Sequence, residues 1–141
     1  MPSTLVDSGP LIALFDGTDR HHVRVKSFLK GFKGSLVTTW PVLTEVCHLL
    51  DFSTDCQLDF LRWVQRGALT IADLDCAALD RMIGLVEKYR DRPMDLADAS
   101  LVVVAHTTDV HHVVSIDSDF DIYRLLDGGK LRNPSPPVNF L

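Results

Sequence analysis

The segment "DLADASLVVVAHTTDVHHVVSID", residues 95–117, contains two elements whose order decides the fold. Its first part is ambiguous, because the valines at 102–104 favour a strand. Its length, its opening aspartates and its small residues favour a helix instead. "HHVVSI" then predicts a strand that ends at Asp117. A helix that feeds a strand ends near the start of that strand, so its own N-terminus, with Asp98, is expected beside Asp117.

The same alternation of helical and strand patterns continues along the whole chain. Apolar, β-rich runs predict strands at 3–7, 34–39, 68–74 and 111–116, with a short fifth strand near 136–140. Longer helical patterns separate them, with Asp95 as the expected N-cap of the last helix. Strands that alternate with helices indicate an α/β fold around a mainly parallel sheet of about five strands, covered on both faces. The length of 141 residues is that of one domain.

Acidic residues occur where the predicted strands end. Asp7 follows the first strand, Asp117 and Asp119 follow the fourth, and Glu45 lies early in the helix after the second strand. The carboxyl ends of parallel strands meet at one edge, so we expect these acids to converge there with Asp98. Converging carboxylates repel one another unless a cation offsets them. Oxygen ligands favour Mg²⁺ or Mn²⁺, which indicates a metal site suited to phosphodiester hydrolysis.

Charge and composition exclude several classes of protein. The net charge is −5 and the pI about 5.6, which excludes a globally basic nucleic-acid binder. A local basic window at 20–33 nevertheless contains five cations that we interpret as RNA-backbone contacts or as a solvated helix face: Arg20, Arg24, Lys26, Lys30 and Lys33. Three cysteines argue against a disulfide framework, and the longest apolar run, "LVVVA", is too short to span a membrane. We therefore expect a cytoplasmic protein with no membrane partner.

Four motifs together resemble the PIN-domain ribonucleases, and specifically the VapC-type toxins of toxin–antitoxin pairs. These motifs are "LVDSGPLIALFD", "PVLTEVCHLL", "DLADASLVVVA" and "VVSIDSDF". They place the four acids of the family at Asp7, Glu45, Asp98 and Asp117, with Asp119 beside the last. Ser115 replaces the usual threonine of the fourth motif, and Asp95 and Asp121 are additional carboxylates.

The resemblance implies a three-layer α/β/α sandwich, a single PIN-like domain over residues 1–141, and Mg²⁺- or Mn²⁺-dependent endoribonuclease activity. It also implies a homodimer and a small antitoxin partner. The expected catalytic residues are Asp7, Glu45, Asp98 and Asp117, and the expected metal ligands are these four and Asp119. Ser8 and Ser115 are expected to contact the RNA together with the five cations, whereas Trp40 and Trp63 are interpreted as core residues, with base stacking as the alternative.

Two other functions remain open at this point. The first is an aspartyl-phosphate switch or phosphatase with Asp7 as nucleophile. However, Gly9 stands where such phosphatases have a second acid. The second is a PIN module without catalysis that retains only RNA or protein contacts. The presence of all four acids argues against it.

Overall fold

The computed structural model describes residues 3–92, 94–116, 123, 131 and 132. Asp117, Asp119 and Asp121 lie outside this part of the chain, as does the fifth strand expected near 136–140. No helix in the described part is both long and apolar enough to cross a membrane. That residues 1–141 form one domain stays a prediction.

Four parallel strands form the sheet in the described part of the chain. They are β1 (Ser3–Val6), β2 (Ser35–Thr38), β3 (Thr70–Ile71) and β4 (Val113–Val114). The strand order is β3-β2-β1-β4, with Leu5 of β1 aligned with Val37 of β2 and with Val113 of β4. Beyond β4, His112 forms a parallel bridge with Arg132, so a further piece of chain extends that edge.

Within the described ranges, six helices connect these strands. They are α1 (Ser8–Phe15), α2 (His22–Gly31), α3 (Trp40–Leu49), α4 (Thr54–Gln65), α5 (Cys76–Lys88) and α6 (Leu96–Thr108). Side-chain caps start three of them, because the oxygens of Ser53, Asp75 and Asp95 accept hydrogen bonds from backbone N–H groups of the first turn. The predicted cap at Asp95 is confirmed by its bond from the Asp98 N–H at 2.8 Å.

The ambiguous segment after Asp95 is a helix, and burial explains why its sequence was hard to interpret. Every residue from Ala99 to Ala105 in α6 is at most 1% exposed. A helix buried on all sides needs no polar face, so it loses the helical periodicity that would otherwise identify it. The valines pack in the core together with β1 and β4.

The strand order places a crevice at β1. The chain builds β1, β2 and β3 in one direction and then crosses to the other side of β1 for β4. Helices connect all of these parallel strands and flank the sheet, which confirms the predicted α/β fold. The point at which the strand order reverses is where open α/β sheets bind ligands. Asp7 follows β1 directly at this point.

Candidate active site

Asp7 lies buried at the carboxyl end of β1, with one oxygen unpartnered. Its side chain is 6% exposed, and Oδ2 accepts a hydrogen bond from the Ser115 hydroxyl at 3.3 Å. Oδ1 is buried and has no hydrogen-bond partner among the residues that the structure describes. The pKa of Asp7 is raised to about 7, chiefly by burial and also by the nearby Glu45 and Asp95 carboxylates, against the opposing effects of the Ser8 N–H and the Ser115 hydroxyl. A buried carboxylate oxygen without a donor is costly, and a cation would satisfy it.

Glu45 reaches the same place from the middle of α3. Its Oε1 accepts a hydrogen bond from the Ser8 hydroxyl at the start of α1. Partial burial raises the pKa of Glu45, the Ser8 bond opposes this rise, and the neighbouring Asp95 adds to it. Ser8 therefore holds Glu45 toward Asp7, the residue that precedes Ser8 in the chain.

Asp98 completes the described cluster from the first turn of α6. Its Oδ2 accepts a hydrogen bond from the Tyr123 hydroxyl at 3.1 Å. Burial is the main reason why its pKa is raised to about 8, and repulsion from Asp7, Asp95 and Glu45 adds to this effect. These mutual effects show that four carboxylates from β1, α3 and α6 lie close together at one edge of the sheet.

The cluster has the chemistry of a cation site, although its described part is incomplete. In the described ranges, no lysine, arginine or histidine forms an ion pair with any of the four carboxylates. Within the same ranges, no three acidic, histidine or cysteine side chains form a group that could hold a metal by themselves. Two of the expected ligands, Asp117 and Asp119, belong to the part of the chain that is not described. The unpartnered Asp7 oxygen and the raised carboxylate pKa values fit a hard divalent cation.

The other predicted site residues are distributed as follows. Ser8 and Ser115 hold carboxylates, so their contact with RNA stays a prediction. The five cations are exposed on α2 and on its flanking turns. Their contact with RNA also stays a prediction.

The interpretation of Trp40 as a core residue is wrong. Trp40 is 63% exposed, whereas Trp63 packs against the core. The buried face of α3 carries Val42, Leu43 and Val46, and this leaves Trp40 on its outer face. Trp40 lines a cavity of about 580 Å³ that also contains Glu45 and Asp95.

The roles of three residues were not identified from the sequence: Tyr123, which contacts Asp98, and Thr39 and Ser100, which join α3 to α6. Tyr123 binds Asp98, and Thr39 binds Ser100 at 2.6 Å between α3 and α6. A tyrosine 25 positions after its partner carries no local signal. Thr39 occupies the N-cap position of α3, but its hydroxyl makes no cap bond.

One curated protein is similar in sequence over most of the chain. The chain is 27% identical over 129 residues to Ribonuclease VapC26 of Mycobacterium tuberculosis (strain H37Rv), a match that covers 89% of this chain and 96% of that protein.

Two solved structures share the fold. The crystal structure of Mycobacterium tuberculosis VapC20, a sarcin-ricin loop cleaving toxin, matches with a TM-score of 0.78 and 16% identity over 84% of this chain and 93% of that one. VapBC2 from Rickettsia felis, bound to a DNA fragment from its promoter, matches with a TM-score of 0.62 and 12% identity over 93% of this chain and 98% of that one.

A match to a protein-family model tests the predicted resemblance. The model of the PIN domain matches residues 4–125, which is most of the sequence and includes Asp7, Glu45, Asp98 and Asp117. The predicted family is thereby confirmed, and the chain belongs to the PIN domain family.

Proposed function

We propose that this protein is a metal-dependent endoribonuclease that hydrolyses RNA phosphodiester bonds as the toxin of a toxin–antitoxin pair. The observation that carries the proposal is the buried Oδ1 of Asp7, which lies among other carboxylates and has no hydrogen-bond partner in the described part of the chain. An arrangement that only stabilised the fold would pair this oxygen, because an unsatisfied buried polar atom is destabilising.

Mg²⁺ or Mn²⁺ is the cofactor we propose. Asp7 and Asp98 would hold it together with Asp117, and Glu45 and Asp119 would hold it directly or through water. When bound, such an ion supplies charge stabilisation at the phosphodiester and an activated water. The lack of an ion-paired cation on the described carboxylates supports this assignment.

The residues around the carboxylates orient them. The Ser8 hydroxyl fixes one oxygen of Glu45, and the Ser115 hydroxyl fixes one oxygen of Asp7. The raised pKa of Glu45 makes its carboxylate a better proton acceptor near neutral pH than an ordinary glutamate. We assign to Glu45 the role of accepting a proton from the attacking water.

The relatives support the choice of substrate and partners. The curated relative is named a ribonuclease. A toxin–antitoxin complex from Klebsiella pneumoniae also shares the fold, with a TM-score of 0.60 and 18% identity over 82% of this chain and 87% of that one. We therefore propose that this chain cleaves RNA in the cytoplasm, forms a homodimer and is bound by a small antitoxin. The family match favours this function over the aspartyl-phosphate alternative.

The decisive experiment compares Asp7→Asn with the wild type. Removing one charge from the cluster should reduce Mn²⁺-dependent cleavage of an RNA substrate by at least about a hundredfold, because electrostatic groups at a reacting phosphate typically contribute this much. Asp80→Asn makes the same chemical change on the exposed face of α5 and should leave cleavage unchanged. Circular dichroism and thermal unfolding would verify that both variants are folded.

Two results would contradict the proposal. One is undiminished cleavage by Asp7→Asn in a preparation that loses its activity in EDTA. The other is a stable phosphoryl adduct on Asp7 after incubation with a small phosphodonor, detected by intact mass, since this would favour the aspartyl-phosphate alternative.

A further inference from the structure

Two consecutive threonines, Thr38 at the end of β2 and Thr39 directly after it, form hydrogen bonds to β1 and α6. These are the elements that position Asp7 and Asp98. The Thr38 hydroxyl donates to the Val6 carbonyl of β1 at 3.1 Å, and the Thr39 hydroxyl lies 2.6 Å from the Ser100 hydroxyl of α6. Both threonines are 0% exposed. Hydrogen bonds in such a dry environment fix geometry more strongly than bonds exposed to water.

The direction of the second bond follows from the partner of Ser100. The Ser100 hydroxyl donates to the Ala97 carbonyl at 2.6 Å, which uses its only hydrogen. Thr39 is therefore the donor to Ser100. The two successive hydrogen bonds end at the carbonyl of Ala97, which lies between Asp95 and Asp98 in the sequence, in the first turn of α6.

The hydrogen bond from Thr38 to the Val6 carbonyl also ends next to a carboxylate residue, Asp7. The register of β1 and β2 pairs Leu5 with Val37, so Thr38 lies beside Val6 at the ends of both strands. Val6 is the residue immediately before Asp7. The Thr38 hydroxyl thus adds a side-chain bond at the position where the backbone leaves β1 for the acidic cluster.

Thr39 makes this contact instead of a local one. It is the N-cap residue of α3, the helix that carries Glu45, yet its hydroxyl makes no bond to the first turn of that helix. A threonine at this position normally stabilises its own helix in that way. Here the hydroxyl joins α3 to α6.

We propose that Thr38 and Thr39 are positioning residues that set the spacing between Asp7 on β1, Glu45 on α3 and Asp98 on α6, and thereby the affinity of the cluster for a divalent cation. The inference rests on the proposed function, because it assigns a role toward the metal of that site. Residues that do not bind the metal themselves but orient its ligands typically change metal affinity by about 10- to 100-fold when they are removed.

The test is the binding of Mn²⁺ alone, measured by isothermal titration calorimetry on the full chain. Thr39→Val keeps the shape of the side chain and removes the donor, and Ser100 retains its bond to Ala97. We expect the Mn²⁺ dissociation constant to rise by about tenfold in Thr39→Val and in Thr38→Val. Thr39→Ser, which restores the hydroxyl, should bind nearly as tightly as the wild type.

The matched control is Thr4→Val. Thr4 is a buried threonine of β1, 4% exposed, so this change removes a buried hydroxyl from the same sheet without touching the bonds described above. Its Mn²⁺ affinity should equal that of the wild type. Thermal unfolding in EDTA would show whether any loss of affinity is merely a loss of stability, and Ser100→Ala replaces Thr39→Val if the latter does not fold.

The outcomes separate this inference from the proposed function. Tight Mn²⁺ binding by Thr38→Val and Thr39→Val, together with tight binding by the wild type, would overturn the positioning role and leave the nuclease intact. An equal loss of affinity in Thr4→Val would overturn it as well. A wild-type protein that binds no Mn²⁺ and cleaves no RNA would overturn both.

Discussion

The Tyr123 hydroxyl donates a hydrogen bond to Asp98 Oδ2 across 3.1 Å. The phenol is 2% exposed, and its ring packs edge-on against Tyr89 with 5.1 Å between the ring centroids. Tyr89 directly follows α5, so α5 supports the group that orients a carboxylate of α6. The bond lowers the pKa of Asp98 against the larger effect of burial, which means that it favours the charged carboxylate.

Replacing Tyr123 by phenylalanine should weaken cation binding while preserving the fold. The change removes only the hydroxyl, and a hydrogen bond to a charged group contributes about 1.5–3 kcal/mol. We expect the Mn²⁺ dissociation constant to rise by about tenfold, as measured by calorimetry. Unchanged affinity in a variant with a wild-type circular dichroism spectrum would show that Tyr123 does not support the site.

The stability of the metal-free protein should fall as the pH rises from about 5 to 8. Burial raises the native pKa of Asp7 to about 7 and that of Asp98 to about 8, from 3.8 in an unstructured chain. At pH values between 3.8 and the two native pKa values, the native state binds more protons than the unfolded state. The free energy of unfolding therefore decreases through this range and levels off once both native carboxyl groups have lost their protons.

Thermal unfolding in EDTA at several pH values would measure this effect. We expect the melting temperature to drop by about 5 °C or more across this window. Asp7→Asn should reduce the drop, and added Mn²⁺ should stabilise the protein more at pH 8 than at pH 6, because it competes with protons for the same oxygens. A melting temperature that rises with pH across this window would contradict the raised pKa values.

Trp40 should contribute to RNA binding through its exposed ring. It lines the cavity shared with Glu45 and Asp95, and aromatic rings stack on unpaired bases with about 1–3 kcal/mol per base. We expect Trp40→Ala to raise the KM for a single-stranded RNA by about tenfold with little change in Mn²⁺ affinity. Trp40→Phe should recover part of the loss, whereas equal KM values for all three proteins would exclude stacking at this position.

The exposed cations of α2 should act on RNA affinity rather than on the metal site. Lys26→Gln combined with Lys30→Gln should weaken RNA binding and reduce the slope of log affinity against log salt by about one for each phosphate that is no longer neutralised. Arg81→Gln on α5 removes a charge from an exposed position elsewhere and serves as the control. An unchanged salt slope in the double variant would identify this surface as a solvated helix face.

Much of the fold could be predicted because its signals are local. The β-rich runs predicted at 3–7, 34–39 and 111–116 became parallel strands that end at Val6, Thr38 and Val114, since alternating strand and helix patterns have few arrangements that bury both faces of a sheet. Asp98 was expected near Asp7 because the N-terminus of a helix that feeds a parallel strand lies at the edge where the strands end. The helix at Leu96–Thr108 was harder, since complete burial removed its periodicity.

The sequence by itself thus determined which elements form and at which edge of the sheet the acids meet, because residue type, periodicity and chain order are local properties. Only the tertiary structure decided which oxygens are buried and which donors reach them. The unpartnered Asp7 oxygen, the Thr39–Ser100 bond and the exposure of Trp40 depend on the register of strands and on the rotation of each helix about its axis. Packing of the whole core sets these quantities, and no short stretch of sequence encodes them.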